Sequence, residues 1–154
     1  MPSINSRLSP WGPIVTAYIG VSPQASAMLQ KHGLPIPPTQ SGMFLVDTGA
    51  SATVVDPTFI ANLGLTPKNF IEVHTPSTNG QPVLTPIYDV SIMFASTTPQ
   101  SGAGTPVQIP YIKTVSAAGS HLQSQGIDGL IGRDVLEHCI LIYNGPEAGF
   151  TLAW

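Results

Sequence analysis

The run Phe44-Leu45-Val46-Asp47-Thr48-Gly49-Ala50-Ser51 constrains this chain more than any other segment. Three consecutive apolar residues read as a buried strand, and the Asp-Thr-Gly behind them reads as the turn where that strand breaks. An ionisable carboxylate is thereby set at the edge of a core, where it is costly unless paired or hydrogen-bonded. One chemistry that wants it there is a pair of aspartates, brought face to face, that share a proton and activate a water. The chain carries one copy of this pattern, so a second such aspartate must come from another molecule. The plain alternative is a carboxylate that caps its own turn through backbone N–H groups.

Only 8% of the 154 residues are charged, against about a quarter in an ordinary globular domain. Polarity comes instead from Ser, Thr, Gln and Asn, and 16 Pro with 15 Gly imply many short elements and frequent turns. The length suits one domain: residues 1–12 are expected to form a loose N-terminal segment and residues 13–154 a single domain. A net charge of −3 with no basic patch argues against nucleic acid or an anionic membrane as partner. No apolar run approaches the roughly 20 residues that span a bilayer. The first residues lack a basic region followed by an apolar one, so no signal peptide is expected and a cytoplasmic location is favoured. The single cysteine, Cys139, excludes an internal disulfide framework and reads as a buried, inert thiol. His32, His74, His121 and His138 show no metal-ligand spacing, so neither metal nor cofactor is expected.

Strands are expected at 13–21, 43–46, 71–74, 83–94, 107–115 and 127–132, with a closing hairpin of 140–143 and 150–153 around Asn144-Gly145. Three segments carry helix signals. The first has Ser22 as N-cap, Pro23 at the first position and Gly33 as terminator; the second has Asp56 as N-cap and Gly64 as stop. The third is the short stretch from Arg133 to His138. Asn79-Gly80, in the loop 75–82, is a hairpin-turn signal. The expected balance is mostly β, with one or two short helices.

Three pieces thus stand in order: apolar-Asp47-Thr48-Gly49-Ala50, a glycine-tipped hairpin some thirty residues on, and Gly129-Leu130-Ile131-Gly132-Arg133-Asp134-Val135-Leu136. This series resembles the single-domain, retroviral-type (retropepsin-like) aspartic proteases and their cellular and bacterial relatives. The resemblance covers roughly Pro13 to Leu152. It implies a closed β-fold whose half-site is completed by homodimerisation, and an endopeptidase acting on an extended peptide. Asp47 is then one half of the catalytic pair. Thr48 interlocks with its symmetry mate, and the Gly49 backbone donates to the carboxylate. Ala50, Thr78, Asn79 and Gly80 correspond to substrate-binding and flap residues. Leu130, Ile131, Gly132 and Arg133 correspond to the strand that supports the catalytic loop.

The chain departs from the family pattern in places. Ser51 stands where many retroviral members carry an aspartate that pairs with the arginine matching Arg133, so Arg133 is expected to find another acidic partner. The flap lacks a glycine-rich tip, and the segment between Val21 and Met43 is longer than in compact viral members. Two other readings stay open: a catalytically inactive dimerisation or peptide-binding module on the same fold, and a monomeric hydrolase using Asp47 with Asp128. Trp11 and Trp154, beside the first and last expected strands, are either packed or part of a subunit interface. Asp128 is read foremost as a turn carboxylate, and Asp134 as a helix N-terminal one.

Overall fold

A computed structural model describes residues 1–74, 80–96 and 110–154, with backbone alone at 110 and 111. The chain opens with β1 (Ser3–Arg7) and β2 (Ile14–Val21), followed by α1 (Pro23–Lys31) and β3 (Gln40–Val46). Next come the two-residue β4 (Val54–Val55), α2 (Pro57–Asn62) and β5 (Asn69–Val73). The long β6 (Val83–Ala95) and β7 (Pro110–Gly119) follow. A 3-10 turn at Gln123–Gln125 leads into β8 (Gly129–Ile131), α3 (Arg133–Leu136), β9 (Ile140–Asn144) and β10 (Gly149–Ala153).

Six strands close into a barrel. The order β2-β3-β8-β4-β7-β6 returns to its start because β6 also pairs with β2, from Val21↔Val90 to Tyr18↔Met93. β5 hangs from the outer edge of β6. Period-two alternation sends Val15, Ala17 and Ile19 of β2 inward, where they meet Phe44 and Val46 of β3 and Val90, Ile92 and Phe94 of β6. Each side chain of this size that leaves water contributes roughly 1.5–3 kcal/mol. Phe44 packs edge-to-face on Phe59 of α2 at 6.1 Å. Gly129 leaves room for this ring, since a Cβ there would stand 2.1 Å from Phe44 Cε1.

All three helix signals produce helices, with Ser22 and Asp56 as side-chain N-caps and Pro in the first turn of the first two. The mostly β, closed fold is therefore as the sequence implies. The N-terminus is not. Instead of a loose segment, Ser3–Arg7 pairs antiparallel along all of β10, from Ser3↔Ala153 to Arg7↔Gly149. Ile4, 6% exposed, is the apolar anchor, and Ser3 exchanges two hydrogen bonds with the buried Ser96 hydroxyl. With β9 on its other side, β10 forms the centre of a separate three-stranded sheet. Trp154, at the end of β10, packs edge-to-face on Phe94 at 5.0 Å. Cys139 is half-buried, and burial raises its pKa against the opposing charge of Lys113. No helix among the described residues is long and apolar enough to cross a membrane.

Asp56 ties distant parts of this frame together. It is 2% exposed, and its Oδ1 accepts from the Thr58 N–H and hydroxyl. Its Oδ2 accepts from the N–H groups of Leu122 (2.9 Å) and Gln123 (3.3 Å). Burial pushes this carboxyl up, but the hydrogen bonds, led by the Thr58 hydroxyl and the Leu122 N–H, outweigh it and bring the pKa down to about 2. A carboxyl whose folded pKa lies below its unfolded value stabilises the fold above that unfolded value, here near 3.8. The contribution disappears as pH falls towards 2. Asp56→Asn should therefore lower the unfolding free energy at pH 7 by roughly 2 kcal/mol. The gap between variant and wild type should narrow between pH 4 and pH 2, as read by denaturant titrations at both ends; a gap independent of pH would contradict this.

Candidate active site

Asp47 is positioned by a parallel pairing of two short strands. β3 and β8 run side by side with Phe44↔Gly129, Leu45↔Leu130 and Val46↔Ile131 in register. The ladder extends one bond further, from the Asp47 N–H to the Ile131 carbonyl at 3.0 Å. Phe44, Val46, Gly129 and Ile131 are buried, whereas Leu45 and Leu130 are only partly covered. Continuing the alternation by one residue sets Asp47 on the open Leu45–Leu130 face, at the strand end.

The loop that follows is held at each of its residues. The Gly49 N–H donates to Asp47 Oδ1 at 2.8 Å, and the Ala50 N–H donates to the Asp47 carbonyl at 3.3 Å. The Arg133 N–H donates to the Ala50 carbonyl at 2.9 Å. Arg133 Nη1 donates to the carbonyl oxygens of Thr48 (3.0 Å) and Gly49 (3.2 Å). The expectation of an acidic partner for Arg133 is thus corrected. With Ser51 in place of an aspartate, the guanidinium satisfies its donors on the carbonyls that the tight loop turns outward. The Thr48 side chain itself is exposed.

Below the loop, Gly132 lies against the backbone of Ala52 and Thr53. A Cβ on Gly132 would stand 2.3 Å from the Ala52 carbonyl carbon and 2.7 Å from the Thr53 nitrogen. Asp134 locks this crossing: its Oδ1 accepts from the Thr53 hydroxyl at 2.8 Å and its Oδ2 from the Thr53 N–H at 3.0 Å. The same hydroxyl accepts from the Gly132 N–H at 3.2 Å. Helix placement alone does not account for Asp134, because its carboxylate closes a buried link across the sequence.

The five aspartates of the chain fall into two groups. Asp56 and Asp134 are saturated as described. Asp89 binds Lys68 and the Ser116 hydroxyl, and Asp128 accepts from the Met43 N–H at 2.8 Å and from Gln123 Nε2 at 3.5 Å. Asp47 is the one whose second carboxylate oxygen has no hydrogen-bond partner among the described residues. Asp128 cannot serve as its mate within the chain. Asp128 lies beside Met43 and Asp47 beyond Val46, so the two sit at opposite ends of the β3–β8 pair, about 13 Å apart along the strand.

β5 and β6 form the hairpin that the flap requires, with its ladder ending at Val73↔Val83. Gly80 has φ +76°, the left-handed region that a turn glycine supplies; Thr78 and Asn79 lie outside the described residues. The stem overhangs a cavity of about 470 Å³ whose floor includes Val54 and Leu130 and whose roof includes Val73 and Val83. Leu130 therefore borders open space as well as supporting the loop. Ala50 is half-buried on the loop that follows Asp47, not on the hairpin. The larger hollow of about 650 Å³ lies elsewhere, between α1 and the segment after α2.

A strand ending at Asp-Thr-Gly, a glycine strand threaded beneath it and a hairpin beside a cleft are thus brought together in one fold, and the sequence carries a matching family signature. The model of the aspartyl protease family matches residues 36–135, about two thirds of the chain. The chain belongs to the aspartyl protease family. The match takes in Asp47, the hairpin and the Gly132–Val135 crossing. No curated protein and no solved structure matches the chain. Family membership supports a protease-type, hydrolytic function.

Sequence reasoning missed the Thr53–Asp134 lock, the Arg133–carbonyl clamp and the cavity walls. Of these, only the hydroxyl residue six positions after Asp47 gives any local signal. Gly132→Ala should destabilise by about 1–3 kcal/mol, since backbone atoms cannot step aside. Thr53→Val should cost a similar amount, because it removes the hydroxyl donor to Asp134 Oδ1 and leaves the buried Gly132 N–H without its acceptor. Gly145→Ala, where the nearest atom would be 3.8 Å away, should be near neutral. Thermal unfolding of the three variants checks the ranking, and an undisturbed Gly132→Ala would refute the contact argument.

Proposed function

We propose that the protein is a homodimeric aspartic endopeptidase in which the Asp47 carboxylates of two copies activate one water between them. The observation that carries this reading is the open oxygen of Asp47, on the cleft face, in a chain whose other aspartates are all engaged. A single carboxylate with one backbone bond has no partner with which to divide the acid and base roles. A two-fold axis through the catalytic loop supplies an identical one.

In the dimer one carboxyl is ionised and the other protonated, because like charges about 3 Å apart do not both persist. The ionised member takes a proton from the water as its oxygen attacks the peptide carbonyl. The protonated member gives its proton to the carbonyl oxygen. Collapse of the tetrahedral diol breaks the C–N bond, with a proton passing to the leaving nitrogen, and no covalent enzyme intermediate forms. Gly49 orients each carboxylate, and Arg133 fixes the loop so that the two can meet. Thr48, with its side chain exposed beside the axis, contacts its mate. The hairpins close over the peptide and exclude water.

Exposed apolar residues suit a self-complementary contact. Trp11, 69% exposed, sits on the Ser9–Gly12 turn, next to the strand that delivers Asp47. The Pro13 carbonyl accepts from the Val46 N–H at 2.9 Å, and Gly12 abuts Leu45. β9 is an edge strand that exposes Ile140, Ile142 and Tyr143, an unprotected edge that invites pairing with another chain.

Purified protein should cleave a mixed peptide pool fastest on the acid side of neutrality and be blocked by pepstatin, and Asp47→Asn should abolish cleavage while leaving sedimentation as a dimer unchanged. Mixing wild type with Asp47→Asn and allowing subunits to exchange gives the sharper readout. A shared site makes activity fall as the square of the wild-type fraction, whereas a linear fall would mean that one chain suffices. Peptide binding without cleavage by wild type would favour a binding module.

A further inference from the structure

The cavity beneath the hairpin is not uniformly apolar. Its floor and roof, through Val54, Leu130, Val73 and Val83, offer hydrocarbon, and the hydroxyl of the buried Thr85 beside them donates to the Val83 carbonyl at 3.1 Å. One wall differs: Ser120, His121 and Gln125, from the segment between β7 and β8, bring three polar side chains to its edge. None of the three side chains has a hydrogen-bond partner among the described residues, and all three are exposed. Among the described residues, no Lys, Arg, Asp or Glu lines the cavity.

This wall is rigid despite lying outside the strands. The Ser120 N–H donates to the Val55 carbonyl at 3.2 Å, and the N–H groups of Leu122 and Gln123 are fixed on the buried Asp56 carboxylate. The Gln125 N–H donates back to the Leu122 carbonyl at 2.8 Å, and the Leu122 side chain is buried. The backbone that carries the polar groups is therefore held in place rather than running as a free loop. A preorganised polar edge rewards a ligand that replaces its water and penalises one that only displaces it.

We propose that this cavity selects peptide substrates by one long side chain with an apolar body and an uncharged hydrogen-bonding end, tyrosine or glutamine, whose end is read by Ser120, His121 and Gln125. The inference rests on the protease reading of Asp47 and adds a substrate class to it. The body of the side chain lies between the Val54–Leu130 floor and the Val73–Val83 roof. A charged end would lose water without gaining an ion partner from the lining, which sets tyrosine and glutamine above glutamate and lysine. The volume of about 470 Å³ accommodates a ring or a long chain, and small residues leave it partly empty.

Peptide pairs that differ only in Tyr against Phe, or Gln against Met, at each position around the cut provide the test. At one position wild type should prefer Tyr over Phe and Gln over Met by about 3- to 10-fold in kcat/KM, the worth of one net hydrogen bond. The double variant His121→Leu with Gln125→Leu, both at exposed positions, should bring both ratios markedly closer to one, with Ser120 left as the remaining reader, whatever its absolute rate. Fluorescence anisotropy of the same peptides on Asp47→Asn should give the same ratios in Kd. Cleavage with Tyr and Phe equal at every position, or ratios untouched in the double variant, would overturn the polar-wall proposal and leave the protease reading standing. Binding ratios without cleavage by wild type would overturn the protease reading and leave the wall. Neither cleavage nor selective binding would overturn both.

Discussion

Three residues of parallel pairing decide where the chemistry of this protein can stand. β3 leads directly into Asp47 and β8 into Gly132, and the register between them brings both to the same end of the strand pair. Gly132 can then cross the Ala52–Thr53 backbone closely enough that no side chain fits between. Asp134 arrives at Thr53, and Arg133 arrives at the carbonyls of the catalytic loop. A slip of one residue would turn Asp47 into the core and its neighbours out. The Thr53–Asp134 link acts against such a slip, because it engages only in the register observed.

The acidic residues divide their labour in a way that clarifies the site. In a chain with so few charges, Asp56, Asp89, Asp128 and Asp134 each serve a structural purpose and have both carboxylate oxygens engaged. Asp56 gathers the most donors, joining the start of α2 to a segment more than sixty residues away. That segment carries the polar wall of the cleft, so one buried carboxylate shapes the cleft from behind while Asp47 keeps one oxygen open at the end of β3. The two differ in what surrounds them, not in chemical type: four donors close on Asp56, whereas a single backbone N–H reaches the side chain of Asp47.

Much of this organisation was legible in the sequence where the cause was local. The Asp47 turn, the caps at Ser22 and Asp56, the proline starts of α1 and α2 and the closing hairpin each depend on residues within a few positions. What escaped the sequence depends on distant partners. β1 has one buried apolar side chain, Ile4, and becomes a strand only because β10 lies beside it. Arg133 gave no sign that carbonyls would replace a carboxylate, since Ser51 removed the expected partner and nothing nearby named another. Val54, Val73, Leu130 and His121 meet around one cavity from four separate segments, a juxtaposition that no short window of sequence contains.

The long β6 has an unequal grip along its length. From Ile87 onward it is paired with β7, and over Val90–Met93 it is held by β2 as well. Residues 83–86 are held by β5 alone, and Pro86, at the boundary, has no N–H to give. The overhanging stem is in effect a cantilever, clamped in the barrel at Ile87 and free beyond it. Its stiffness is that of a two-stranded ribbon, so it can flex without any loosening of the barrel that holds the Asp47 loop in place.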